Sequence, residues 1–145
     1  AAGGIADAAG VRAAMALGAA GVQVGTAYLC ADEATTTALH RAALQSEAAR
    51  HTTLTNVFTG RPARGIVNRV MREMGGSGKT HFATGLSRAA PAFPLATNAM
   101  APLRAAAEKA GRTDFSPLWS GQNATACLSA PAADITRALA AGFKD

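Results

Sequence analysis

The chain has 145 residues, 49% of them hydrophobic, enough to bury a core as one domain or as part of a larger one. Its net charge of +5 is spread along the chain, denser only at Arg61, Arg64, Arg69 and Arg72, and with 5% aromatics there is little to stack on bases, so a nucleic-acid module is not favoured. The uncharged apolar runs fall short of a membrane span, and Cys30 and Cys127 match no paired metal spacing.

The first residues read as the end of a buried strand, so a piece of a longer protein is expected. No leader pattern opens the chain, and a cytoplasmic location is the expectation. The two cysteines then read as buried thiols rather than as a disulfide.

Residues 1–5 run from this strand end into a glycine turn at Gly3-Gly4. Asp7 suits a helix N-cap, because its carboxylate accepts free backbone N–H groups. A helix over 8–18 follows, with Val11, Met15 and Leu17 as its apolar positions and Gly18 as its stop. Gly21 to Leu29 reads as a buried strand that breaks at Gly25-Thr26. The next helix starts at Asp32 or Thr35 and runs to about Ala49, with Leu39, Ala43 and Leu44 facing inward. Strand, helix, strand, helix with short connections is the repeat of a parallel α/β sheet.

From His51 the pattern changes. Thr52–Phe58 is β-branched and extended, Gly60-Arg61-Pro62 is a turn, and Ala63–Met74 reads as a basic helix. Residues 75–99 read as a long loop of the kind often used as a lid or binding segment. Ala101–Ala110 is a helix stopped by Gly111, and Phe115–Ala126 is irregular. Pro131 suits a helix N1 position, and the last helix runs to about Ala141.

Two glycine sites carry the chemistry, Gly3-Gly4 and Gly25-Thr26. Each lies at the C-terminal end of a predicted strand and leads into a helix. Glycine lets the backbone approach phosphate oxygens closely, and free N–H groups at a helix start point at the anion. Thr26 adds a hydroxyl. In isolation such a site is more often just a tight turn. Gly75-Gly76-Ser77-Gly78-Lys79-Thr80 ends like a nucleotide-binding P-loop, but Glu73 stands where that motif needs its first glycine, and a helix pattern precedes it instead of a strand.

The residues themselves say more. Ala2-Gly3-Gly4-Ile5-Ala6-Asp7, Ala16-Leu17-Gly18-Ala19 and Gly21-Val22-Gln23-Val24-Gly25-Thr26 closely resemble the last two βα units of the nitronate monooxygenase family, once called 2-nitropropane dioxygenases. Flavin-dependent enoyl-acyl-carrier-protein reductases and inosine monophosphate dehydrogenases share looser versions. The text Phe58-Thr59-Gly60-Arg61-Pro62-Ala63-Arg64-Gly65 with Asn68-Arg69, then Pro117-Leu118-Trp119-Ser120-Gly121-Gln122, resembles the bacterial nitronate monooxygenases in particular. The resemblance is weakest over 75–100.

This resemblance implies an α/β fold: the C-terminal portion of a (β/α)8 TIM barrel with a mainly helical cap region. Residues 1–49 would be the last βα units of the flavin-binding barrel, 50–125 the cap and substrate region, and 126–145 a C-terminal helix packing back on the barrel. It implies FMN as cofactor, with Gly4 on the phosphate, Gly3 in the same turn, Gln23, Val24, Gly25 and Thr26 as the second phosphate loop, and Gln122 near flavin or substrate. The implied reaction is oxidation of an alkyl nitronate by O2 to a carbonyl compound and nitrite. The family's catalytic histidine lies upstream of the matched part. His40, His51 and His81 read as structural or surface residues, and the chain alone is expected to be inactive. Arg61 and Arg64 are candidate contacts for an anionic substrate, or the solvated start of a helix. Two other readings stay open: a flavin-dependent enoyl-thioester or NAD(P)H:quinone reductase on the same scaffold, and a non-enzymatic anion or nucleic-acid binding module.

Overall fold

A computed structural model describes residues 1–75, 86–125 and 127–143. It divides into two units, one formed by Ala1–Arg50 with Ser120–Asp145, the other by His51–Trp119.

In the first unit the chain ends up with two neighbouring extended segments, joined by a parallel bridge between Ala2 and Gln23 in which Gln23 N–H donates to Ala1 O at 2.8 Å. Helix α1 (Ala8–Ala16) connects them. Asp7 caps it, its carboxylate accepting Gly10 N–H at 2.8 Å. Val11 is the fully buried residue of α1, packed with Ala27, Ala31, Ile135 and Leu139. Leu17 is not an inward position: α1 stops at Ala16, and Leu17, as C-cap, is 90% exposed.

The strand expected over Gly21–Leu29 is reduced to that single bridge. Gly25 turns the chain into the right-handed region (φ −117°, ψ −62°), and Thr26–Cys30 continues as a 3-10 helix that takes in Tyr28 and Leu29. Helix α2 (Ala38–Leu44) is shorter than the predicted one at both ends. Thr37 is its cap, accepting His40 N–H at 3.3 Å. The preceding Thr35 and Thr36 lose rotamer freedom in a helix. Arg41 also draws this segment away from helical pairing, donating to the carbonyls of Cys30, Ala31, Ala34 and Thr36 at 2.7–3.2 Å. At the other end, Ser46 Oγ donates to Ala43 O at 2.8 Å, and a 3-10 turn, Glu47–Arg50, follows.

The last helix, α5 (Ala132–Ala140), lies against α1 and buries Ile135 and Leu139; a 3-10 turn at Ala141–Phe143 ends the described chain. Gly142 is where that turn presses on α1. A Cβ there would stand 2.7 Å from Val11 Cβ and collide with Ala8 O.

The second unit contains an antiparallel hairpin, β1 (Thr52–Thr55) and β2 (Ala63–Ile66), in register from Thr52 opposite Ile66 to Thr55 opposite Ala63. Ala63–Ile66 therefore departs from the predicted helix. Gly60, at φ +89°, makes the turn, and Arg64 Nη1 ties back to Thr52 O at 3.1 Å. Gly65 faces a second extended segment: it bridges Trp119, and a Cβ there would stand 2.9 Å from Leu118 O.

The predicted helix begins only at Arg69, as α3 (Arg69–Met74), capped by Asn68. Helix α4 (Leu95–Lys109) starts six residues before the predicted Ala101. Pro102 suits a first turn by sequence; here it lies inside the helix, where it cannot donate to Asn98 O. The core of this unit is Val57, Phe58, Val70, Met71 and Met100, with Phe58 edge-on to Trp119 at 5.6 Å. Asn68 Nδ2 donates to Thr113 O and Ser116 O, both at 2.9 Å. Arg104 hydrogen-bonds Glu108 at 2.8 Å, which, with a hydrogen bond from Ser116, holds that carboxyl below its ordinary range. Among the described residues no helix is long and apolar enough to cross a membrane.

Candidate anion site

The Ala2–Gln23 bridge sets the two glycine sites side by side at the ends of adjacent segments. Gly3 and Gly4 sit at φ +91° and +73°, which L side chains rarely adopt. A Cβ at Gly3, Gly4 or Gly25 would meet nothing within 4 Å, so the space over these backbones is open. The amides of Gly25, Thr26 and Ala27 open the 3-10 helix, whose first turn bond runs from Tyr28 N–H to Gly25 O at 3.0 Å. Gly3, Gly4, Gln23 and Gly25 are exposed, and Val24 and Thr26 are half-buried.

A third segment joins them. Gly121 N–H donates to Thr26 Oγ1 at 2.8 Å. A Cβ at Gly121 would stand 3.2 Å from Thr26 Oγ1 and 3.7 Å from Gly4 N. Gly4, Thr26 and Gly121 thus converge on one spot. Gln122 is exposed and follows directly in the chain. Behind Thr26, the Cys127 thiol donates to Thr26 O at 3.1 Å. Burial, with Cys30 beside it, pushes the Cys127 thiol up to about 11, so at neutral pH it stays protonated and able to donate. Both cysteines are free and buried.

The arrangement offers N–H and O–H donors on open backbone, and Asp7, the nearest carboxylate in the chain, is occupied with Gly10 N–H. Such a donor set suits an anion, and the residues present fit a phosphate group. Sequence reasoning passed over Gly121 and Cys127. The first was visible only as part of the Trp119-Ser120-Gly121-Gln122 run, the second only as a buried thiol.

Arg61 stacks on Phe93, its guanidinium carbon 4.2 Å from the ring centroid. Arg64 is engaged by the hairpin, which replaces the helix start expected there. His40 is half-buried in α2 and His51 is exposed. His81 and residues 76–80 of the Gly75–Thr80 segment lie outside the described residues. The second unit has a cavity of about 260 Å³ walled by Phe58, Met100, Phe115 and Trp119, with Arg104 at its edge already paired to Glu108. Among the described residues no three His, Cys, Asp or Glu side chains group to hold a metal.

Comparison with known proteins bears on this site. The family model "Nitronate monooxygenase" matches residues 1–142. Nitronate monooxygenase of Pseudomonas aeruginosa is 38% identical over 139 residues, covering 96% of this chain and 37% of that protein. The Paraburkholderia phytofirmans nitronate monooxygenase is 38% identical over 142 residues, covering 96% and 36%. Among solved structures, nitroalkane oxidase from Streptomyces ansochromogenes superposes with a TM-score of 0.79 at 37% identity, covering 98% of this chain and 38% of that one. FabK from Thermotoga maritima superposes at 0.67 with 26% identity, covering 98% and 42%. The chain thus spans between 36% and 42% of the length of these proteins.

Proposed function

As the chain belongs to the nitronate monooxygenase family, we propose that it is the phosphate-binding part of an FMN-dependent enzyme that oxidises alkyl nitronates with O2 to carbonyl compounds and nitrite. Residues 1–49 are the closing βα units of a (β/α)8 barrel, 50–125 a mainly helical cap and substrate region, and 126–145 a C-terminal helix that packs back on the barrel. The protein works in the cytoplasm, and its catalytic histidine lies in the part of the enzyme upstream of this chain.

The convergence of Gly4, Thr26 and Gly121 supports this reading most directly. Flavin mononucleotide carries one terminal phosphate, and here one group of donors stands over open backbone. Gly4, Gly25 and Thr26 hold the phosphate, with Gly3, Gln23 and Val24 shaping the two loops. Gln122 approaches the flavin or the substrate. The flavin, when bound, would supply the electron chemistry; these residues would fix its position and donate hydrogen bonds to its phosphate.

The test is an assay of the full-length protein with an alkyl nitronate under air. Nitrite release with matching O2 consumption supports the reading. Consumption of a nicotinamide cofactor without nitronate turnover overturns it in favour of a reductase on the same scaffold.

A further inference from the structure

We infer that Gly121 and Cys127 form a clamp that fixes Thr26 from both ends and thereby aims its hydroxyl proton at the anion. The inference rests on the reading of this site as a phosphate cradle.

A threonine hydroxyl has one proton to give and two lone pairs to offer, and it rotates freely about its C–O bond. In a helical turn it readily folds back onto its own backbone, and a donor spent that way is lost to a ligand. Here Gly121 N–H donates to Oγ1 at 2.8 Å. An amide N–H only donates, so the oxygen is the acceptor and its proton is turned away from Gly121. The neighbouring group on that side, Gly4 N, is also a donor. With Gly121 N–H spent on Thr26 Oγ1, Gly4 N–H and Thr26 O–H are left with protons to give. An oxygen with negative charge suits both, and a bond to such an oxygen is the stronger, charge-assisted kind.

The other end of Thr26 is held by the same segment. Cys127 Sγ donates to Thr26 O at 3.1 Å. The two contacts come from residues six apart in the segment and reach the side chain and the backbone of one threonine. Ser120 Oγ in turn donates to Gly121 O at 2.9 Å, engaging the peptide that follows the Gly121 amide. Glycine at 121 suits this approach: a Cβ there would stand 3.2 Å from Thr26 Oγ1, closer than ordinary contact, so the hydroxyl would have to shift by a few tenths of an ångström. Gly121 and Cys127 are therefore positioning residues that act through Thr26.

The experiment is a titration of the full-length apoprotein with FMN and, separately, with riboflavin, which carries the same ring system without the phosphate. Thr26→Val should weaken FMN about 10- to 100-fold, the range for one hydrogen bond to a charged group, and leave riboflavin unchanged. Gly121→Ala should weaken FMN in the same selective way. The double variant should bind FMN no worse than Thr26→Val alone, because Gly121 works through that hydroxyl. Cys127→Ala, a milder change less prone to misfold, should weaken FMN severalfold, with Cys127→Ser restoring it by keeping a donor. Additive losses in the double variant, or riboflavin weakened as much as FMN by Gly121→Ala or Cys127→Ala, would overturn the clamp. Equal affinity of the unaltered protein for FMN and riboflavin would instead overturn the phosphate reading on which it rests.

Discussion

Arg41→Met is the perturbation whose size the structure fixes best. Arg41 sits in α2, half-buried, and sends its guanidinium to four backbone carbonyls: Cys30 at 2.8 Å, Ala31 and Ala34 at 2.7 Å, and Thr36 at 3.2 Å. The first of these ends the 3-10 helix that begins at Thr26, so this one side chain ties the end of that helix to α2. Methionine keeps much of the aliphatic stem but satisfies none of the carbonyls. At about 1 kcal/mol for each lost hydrogen bond, reduced because water reaches part of the site, the loss should be about 2–4 kcal/mol. Arg41→Lys should recover less than half of this, since an ammonium cannot fork across four acceptors. Urea unfolding followed by far-UV circular dichroism, with unchanged slopes, measures it. A shift for Arg41→Met below about 0.5 kcal/mol, the scale of an ordinary surface substitution, would refute the reasoning.

Three further outcomes follow from the same geometry. Asn68→Ala removes the α3 cap and two donors to Thr113 O and Ser116 O, and should cost about 2–3 kcal/mol in unfolding, while Asn68→Asp, which keeps the cap but turns a carboxylate oxygen towards those two carbonyls, should recover none of it at neutral pH. Gly142→Ala drives a methyl into Val11 and Ala8 O and should destabilise by about 1–3 kcal/mol; an unchanged melting temperature would show that the terminal turn does not press on α1. The stability of the protein should also fall at both ends of the pH scale. The raised Cys127 thiol gives stability present below the ordinary thiol value and lost as pH rises towards about 11, and Cys127→Ala should remove this alkaline loss. The lowered Glu108 carboxyl gives stability present above the ordinary carboxylate value and lost as pH falls through its own, and Glu108→Gln should flatten that acid limb.

Local signals made part of this fold legible. Asp7 as a cap, α1 up to Ala16, the break at Gly25-Thr26 and α5 behind Pro131 each rest on residues within a turn of one another. The first strand and the turn of the hairpin were legible, but its second strand was not: Ala63–Ile66 carries the charge and spacing of a helix, and it becomes a strand because it pairs with Thr52–Thr55 on one side and approaches Trp119 on the other. Tertiary pairing overrides weak propensity in this way. The start of α4 was hidden in the run 75–99, which read as a long loop, although the helix already begins at Leu95. At the candidate anion site the two glycine turns stand out through their resemblance to the family's motifs. Gly121 does not, because its partner Thr26 lies 95 residues away and no local pattern encodes such a contact.

The most direct measurement of the central claim is the visible absorption spectrum of the full-length protein, followed by denaturation to release and identify any bound chromophore. The account predicts a flavin spectrum and the release of flavin mononucleotide. A colourless, well-folded protein that also refuses added flavin mononucleotide would contradict it, and would assign the converging donors of Gly4, Thr26 and Gly121 to a different anion.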